Sequence, residues 1–584
     1  MSVEGATQRM APLFESSIQR TVPAEVRREV HPVIRSVRDR ITGEAKLPSR
    51  LLLCAVTLLL LMACLTVTNL LLARAHANRS ELAMRTALGA SRPRLFRQCL
   101  TETLLLALAG GAIGFLLSWA CVLTLVHVAP GGFLYLDRVY LDKRALAFSG
   151  IASLAATLLS GILPALRPPG PPNQSASRVT GLAQLRQVLT SLQIACSLVL
   201  LTGALLFTRS LNRLESQPPG FSQDHLTAIF LHLPRARYAT TQLRVNFDRQ
   251  IESKLKSIPG VESVALSDSL PPAGPTLARP LDNIRVAGIA SLPSGGGMVF
   301  LRRVSPDYFR RVSPDYFRTL RIPILRGRTF NTEEETLRQP SVVLSQSLAQ
   351  KLFPAADALG SRVSLDAGSS WVTVIGIAPD VKNNGLAVRS SPEYYLLRAS
   401  YGDRLGQTTI AFVRSTLDTA TLTRWFHKQL TTVDPAVTAS VEAMPERLHH
   451  LADRPRFIAL VLLIFALASI LLAGTGLYGV ISFLVSSRTR EIGIRSALGA
   501  SWPGILVMVQ RQTFICAGIG IVIGALGSLA LGDLVRTLLF QISPRDPVLL
   551  AGAALCLLAV ALLSALEPSW KAAHIHPADA LRAD

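Results

Sequence analysis

Residues spaced for chemistry are sparse in this chain of 584 residues. His449-His450 and His574-x-His576 have the spacing of metal ligands, but no Cys or carboxylate cluster accompanies them, so they read as surface histidines. Asp307, Asp315 and Glu333–Glu335 read as solvated acids, and no Ser-His-Asp or Cys-His arrangement stands out. The seven cysteines (Cys54, Cys64, Cys99, Cys121, Cys196, Cys516 and Cys556) lie in or beside apolar runs and form no CxxC pair. No Lys follows a Gly anywhere, which rules out a GxxxxGK[ST] phosphate loop in this chain. No catalytic residue, metal or cofactor is expected.

Two repeated segments are more informative. SELAMRTALGAS at 80–91 aligns with REIGIRSALGAS at 490–501, sharing seven of twelve residues. Glu81 with Arg85, and Glu491 with Arg495, are i,i+4 pairs in the favoured acid-before-base order. Leu88 and Leu498 belong to an apolar side, and Gly89 and Gly499 can end the helix. This is the chemistry of docking, not of bond breaking. One copy would suit a helix lying on anionic lipid; two copies after equivalent spans favour docking sites for a cytoplasmic motor.

The elements carrying these segments belong in a membrane. The composition is 49% hydrophobic and 17% charged, with a mean hydropathy of +0.37, which argues against a soluble enzyme or a disordered scaffold. Seven stretches are long and apolar enough to cross a bilayer core of roughly 30 Å. They are 51–73, 100–128, 145–166, 188–208, 457–486, 514–534 and 548–566. The net charge of +22 raises the question of nucleic acid. Its distribution answers it: the short loops 74–98, 168–187 and 488–511 hold +5, +2 and +3, whereas 129–144 and 536–547 are nearly balanced. The positive-inside rule places the first three in the cytoplasm and the segment 209–456 outside. No nucleic-acid partner is expected.

Alternation also puts residues 1–50 outside, although they carry +3 and no apolar signal region. The expectation is a front end shortened relative to related chains. The outer segment reads as mixed α and β, with βαβ patterns over 226–267 and 409–442 and another strand at 372–377. Inside it, RRVSPDYF at 302–309 is repeated at once at 310–317. No structural period requires such a copy, and it reads as a recent duplication or a sequence error. Gly110, Gly111 and Gly114, and Gly518, Gly520 and Gly524, have the spacing of close helix packing.

The chain resembles the MacB/FtsX-like permeases of ABC transporters, in which a segment like REIGIRSALGA follows a span on the cytoplasmic side. VSPDYFRTLRIPILRGRTF (312–330), VVLSQSLAQKLFPAADALGSRV (342–363) and VTVIGIAPDVK (372–382) resemble that family's periplasmic core domain, and HPADALR (576–582) resembles its usual ending. The duplication resembles the orphan permeases of acidobacterial genomes. The resemblance implies a polytopic α-helical membrane protein of about seven spans, with two FtsX-like three-helix repeats and one α+β extracytoplasmic MacB-like core domain. The expected parts are an N-terminal segment 1–50, a permease unit 51–168, a linking helix 188–208, the core domain 209–456, a second unit 457–568 and a cytoplasmic tail 569–584.

The implied partners are a cytoplasmic ABC ATPase subunit, the lipid bilayer, and an efflux adaptor or other outer-face protein. The ATPase would dock at Glu81, Arg85, Leu88 and Gly89, and at Glu491, Arg495, Leu498 and Gly499. The function implied is a permease subunit of the plasma (inner) membrane that drives export, extraction or mechanotransmission at the outer face. The alternative is a non-transporting FtsX-like regulator of an extracytoplasmic enzyme.

Overall fold

The computed structural model describes residues 3–21, 37–77, 92–128, 147, 150–151, 175–272, 278–280, 284–287, 298–300, 311–331, 333–334, 340–354, 356–365, 371–382, 386, 392–397, 408–487, 494 and 502–573. Two compact units divide the chain. Met1–Ala129, Leu134–Ser210 and Pro455–Asp584 form a helical unit; Pro130–Phe133 and Leu211–Arg454 form an α/β unit.

The helical unit opens with α1 (Val3–Thr21), α2 (Val37–Ala77), α3 (Arg92–Val128) and α4 (Ser175–Glu215). Residues 37–50, read above as part of an N-terminal segment, extend α2 upstream of its span.

The α/β unit begins with β1 (Leu226–His232), α5 (Thr241–Lys256) and β2 (Val261–Ser267). An inserted segment follows, first with β3 (Ala278–Pro280), β4 (Arg285–Val286), β5 (Met298–Phe300), β6 (Arg311–Val312), α6 (Tyr316–Leu320) and β7 (Arg326–Gly327). It continues with β8 (Ser341–Ser345), α7 (Gln346–Leu352), β9 (Arg362–Ser364), β10 (Trp371–Ala378) and β11 (Tyr394–Leu397). The unit closes with β12 (Thr408–Ser415), α8 (Thr419–Val433), β13 (Thr438–Ala443) and α9 (Met444–Leu451).

Sheet order is β13-β1-β12-β2-β6-β11-β8-β10-β9-β4, with β7 on β10. β12 lies between β1 and β2 and is antiparallel to both, while β1 lies between β12 and β13. Each expected βαβ pattern is therefore split by a strand of the other, a ferredoxin-like interlock that brings distant segments together. Strand alternation assigns the faces. Ile229, Leu231, Ala411 and Val413 meet Phe247 and Ile251 of α5 and Leu422 and Phe426 of α8. Leu226, Ala228, Ile410 and Phe412 point the other way, against Tyr316, Phe317, Met444 and Leu448.

Tyr316 and Phe317 of the second RRVSPDYF copy belong to this core; the first copy, and with it the reading of a recent duplication or sequence error, lies outside the described residues. The reading of Glu333–Glu335 as solvated acids is corrected at Glu334, which is 4% exposed. It accepts from Arg328 at 2.6 Å and from the Asn331 N–H at 3.1 Å. Burial alone would raise its pKa, but these donors outweigh burial and hold the carboxyl below its ordinary value.

The chain returns to the helical unit through α10 (Asp453–Ser487), α11 (Trp502–Val535) and α12 (Pro547–Ala573). Stretches long and apolar enough to cross a membrane occupy Lys46–Leu71, Gln184–Glu215, Asp453–Ser486, Gln510–Val535 and Pro547–Lys571. They coincide with five of the seven expected spans. α3 covers all of the expected 100–128, with Leu108–Thr124 as its described apolar stretch; the expected span 145–166 lies almost wholly outside the described residues.

α4 is the centre of this unit, since 67% of its span is buried against 22–33% in the other four. Its register with its neighbours runs antiparallel to α2 (Arg186 with Asn69, Ser197 with Met62) and to α10 (Arg186 with Gly479, Ser197 with Ser469). With α11 it runs parallel, pairing Ser191 with Cys516 and Ala195 with Gly524. These directions are the ones that alternating passage through a bilayer requires.

Close approach along α11 depends on missing side chains. A Cβ on Gly520 would lie 2.6 Å from the Ser191 carbonyl oxygen, and one on Gly524 would lie 2.8 Å from that of Ala195. Gly518, Gly110, Gly111 and Gly114 have nothing within 4 Å, so their spacing does not mark a helix contact among the described residues. Gly520→Ala is therefore expected to cost about 1–3 kcal/mol through overpacking, and Gly518→Ala to leave stability nearly unchanged. Thermal unfolding of the two variants in detergent checks the contrast.

Candidate functional site

The eight residues predicted to dock an ATPase, Glu81, Arg85, Leu88, Gly89, Glu491, Arg495, Leu498 and Gly499, lie outside the described residues. The helices leading into them are described: α2 ends at Ala77 and α10 at Ser487. Where these helices approach their C-terminal ends, a buried polar cluster joins them to α4.

Arg186 of α4 is 1% exposed. Its Nη2 donates to the Asn69 carbonyl of α2 at 3.0 Å and to the Gly479 carbonyl of α10 at 3.4 Å. The guanidinium carbon stands 4.1 Å from the centroid of the Phe483 ring, a cation–π contact. Asn69 Nδ2 donates to Thr190 Oγ1 at 3.4 Å and to Gln193 Oε1 at 3.3 Å, and Gln193 Nε2 donates to Thr66 Oγ1 at 2.6 Å. Gly476 makes room for this, since a Cβ there would lie 2.5 Å from Gln193 Oε1. Deeper along α4, Ser197 donates to the Ser469 carbonyl at 3.1 Å. Among the described residues, Nε and Nη1 of Arg186 and Oδ1 of Asn69 have no hydrogen-bond partner.

A cluster of titratable groups joins the end of α9 to the start of α10. His450 Nδ1 lies 2.8 Å from Asp453 Oδ2, with His449 at 3.8 Å from the same carboxylate and Glu446 at 3.9 Å from His450. The hydrogen bond to Asp453 raises the His450 pKa, more than its slight burial lowers it, and the Asp453 charge adds to the rise. Both histidines are exposed, as surface residues are expected to be, and they pair with acids of α9 and α10. Among the described residues no group of three His, Cys, Asp or Glu could hold a metal ion.

A family model of the MacB-like periplasmic core domain matches residues 194–433. One of the FtsX-like permease C-terminal domain matches twice, over 53–168 and 463–577. The chain belongs to the MacB/FtsX-like ABC permeases. It is 27% identical over 341 residues to the macrolide export ATP-binding/permease protein MacB of Nitrobacter winogradskyi, covering 55% of this chain and 50% of that one. To the MacB of Marinobacter nauticus it is 24% identical over 273 residues, covering 45% and 41%. The chain spans about half the length of the curated relatives it matches. The crystal structure of the periplasmic region of MacB from Actinobacillus actinomycetemcomitans aligns with 41% of this chain and 97% of that one, at 13% identity and a TM-score of 0.27. Family membership rests on the two family models. This MacB/FtsX-like permease is a multi-pass inner-membrane protein with a large extracytoplasmic domain.

Sequence reasoning missed the buried cluster. It counted Arg186 with the inner-loop charges of 168–187, whereas the structure buries it within the helical unit. A signal existed: Arg186, Thr190 and Gln193 recur at i, i+4 and i+7 on α4, and Thr66 and Asn69 at i and i+3 on α2, spacings that put each set on one helical face.

Because the His450 pKa is raised by folding, its stabilising contribution is present at acid pH and is lost as pH rises through the folded pKa, above about 6.5. Asp453→Asn is expected to return the His450 titration toward the ordinary value, as read by imidazole NMR, and to flatten the pH dependence of unfolding.

Proposed function

We propose that this permease couples a separate cytoplasmic ABC ATPase to export or extraction at the outer face of the inner membrane. The observation that carries the reading is the duplication: an FtsX-like domain matches both halves, and each half follows its first span with the same Glu-x-x-x-Arg-x-Ala-Leu-Gly-Ala segment. The ATPase docks through Glu81, Arg85, Leu88 and Gly89 in one half, and through Glu491, Arg495, Leu498 and Gly499 in the other. Each Arg offers the motor a fixed positive charge, and each Leu an apolar anchor beside it. ATP hydrolysis belongs to that second subunit, since this chain has no Gly-Lys dipeptide from which to build a phosphate loop.

Displacement at the inner face travels along α4 and α10, the helices by which the chain leaves the helical unit for residues 211–454 and returns. The names of the relatives, macrolide export ATP-binding/permease proteins, support export as the direction of work. An efflux adaptor or another outer-face protein would complete such a system.

Co-purification from native membranes, followed by charge reversal, tests the reading. A soluble ATPase is expected to accompany the chain, and Arg85→Glu with Arg495→Glu to reduce its recovery by about tenfold or more, since removing contacts worth 1.4 kcal/mol already changes an equilibrium tenfold. Recovery of no ATPase with the unaltered chain, or full recovery with the double reversal, contradicts it.

A further inference from the structure

We propose that Arg186 is the joint that makes the first spans of the two repeats move together, a positioning residue for transmission from the docking segments. The inference rests on the coupling function proposed above for those segments, but its test does not involve the ATPase.

Three observations point to it. First, one nitrogen of Arg186 donates to carbonyls on both α2 and α10, and those helices belong to different repeats. Second, these are the helices whose C-terminal ends lead into 80–91 and 490–501. The side chain therefore ties them close to the places where force would enter. Third, among the described residues no carboxylate pairs with Arg186, although it is 1% exposed, and its Nε and Nη1 make no hydrogen bond. A guanidinium this deeply buried in a membrane-spanning unit is costly, which marks it as a functional position rather than a stabilising one.

The geometry also says why the residue is Arg. A planar guanidinium lies on the Phe483 ring while its Nη2 reaches two carbonyls; the ammonium of Lys has no flat face to stack there. Asn69, Gln193 and Thr66 occupy the space around the tie and keep α2 and α4 in register, so the joint is set in a hydrogen-bonded frame. If α2 shifts along its axis, the bond to Asn69 pulls Arg186, and Arg186 pulls Gly479 and α10 with it.

The test is the distance between spin labels at Val67→Cys on α2 and Ser486→Cys on α10, both exposed positions, measured by pulsed electron resonance in the full chain. The seven native cysteines are replaced first. With Arg186 present, one narrow distance is expected. Arg186→Gln is expected to add a second, longer component, and Arg186→Lys to behave like Gln because it keeps the charge but loses the flat face that seats it on Phe483. A lesion that only lowered stability would shift the unfolding midpoint and leave the folded-state distance alone. Phe483→Leu, which removes the ring and keeps the guanidinium, provides a milder variant should Arg186→Gln fail to fold, and a broadened distribution is expected from it. An unchanged distribution in folded Arg186→Gln, a wild-type distribution in Arg186→Lys, or an unchanged one in Phe483→Leu if Arg186→Gln does not fold, overturns the proposal. The docking reading fails separately, if no ATPase accompanies the chain.

Discussion

Helices in a bilayer gain nothing by hiding apolar side chains from one another, because the surrounding lipid is equally apolar. They associate through close van der Waals packing and hydrogen bonds across helices, and α4 concentrates both. On the α11 side, Gly520 and Gly524 let backbone approach backbone until a single Cβ would collide. On the α2 and α10 sides, Ser197, Gln193, Thr190 and Arg186 supply polar contacts at successive depths. Spans of both repeats, α2 from one and α10 and α11 from the other, are thereby packed on one linking helix.

That arrangement constrains how the permease can work. Segments 80–91 and 490–501 follow helices that share a buried joint, so a push on one repeat has a path to the other without crossing lipid. The α/β unit meets a different constraint, since water can satisfy its exposed backbone. It is built on the interlock of β13, β1, β12 and β2, with apolar side chains alternating toward two separate cores. Its chain closure depends on residues far apart in sequence, Leu226 against Arg414 and Thr227 against Ala443.

The sequence made the local pattern legible and left the pairings hidden. Apolar runs located the spans because bilayer thickness fixes their length, and strands such as Leu226–His232 were readable as short runs of β-branched, aromatic and other apolar residues. Neither the insertion of β12 between β1 and β2 nor the central place of α4 could be read from periodicity, because both depend on which surfaces meet. Glu334 and Arg186 were misjudged for one reason: a charged residue was assumed to be solvated, and burial with fixed partners is a tertiary property. Tyr316 and Phe317 show the converse, since they lie in the segment 312–330 that resembles the family's core domain and are two buried rings of the core.

The most direct measurement of the central claim, that α4 receives both repeats at once, is oxidative cross-linking in native membranes. Two cysteine pairs in a cysteine-free chain suffice, Asn69→Cys with Thr190→Cys for the first repeat and Ser197→Cys with Ser469→Cys for the second. Arrangement around α4 predicts a disulfide in both pairs within one chain, visible as a mobility shift without change of mass class. Cross-linking of only one pair, or only between separate chains, would contradict it.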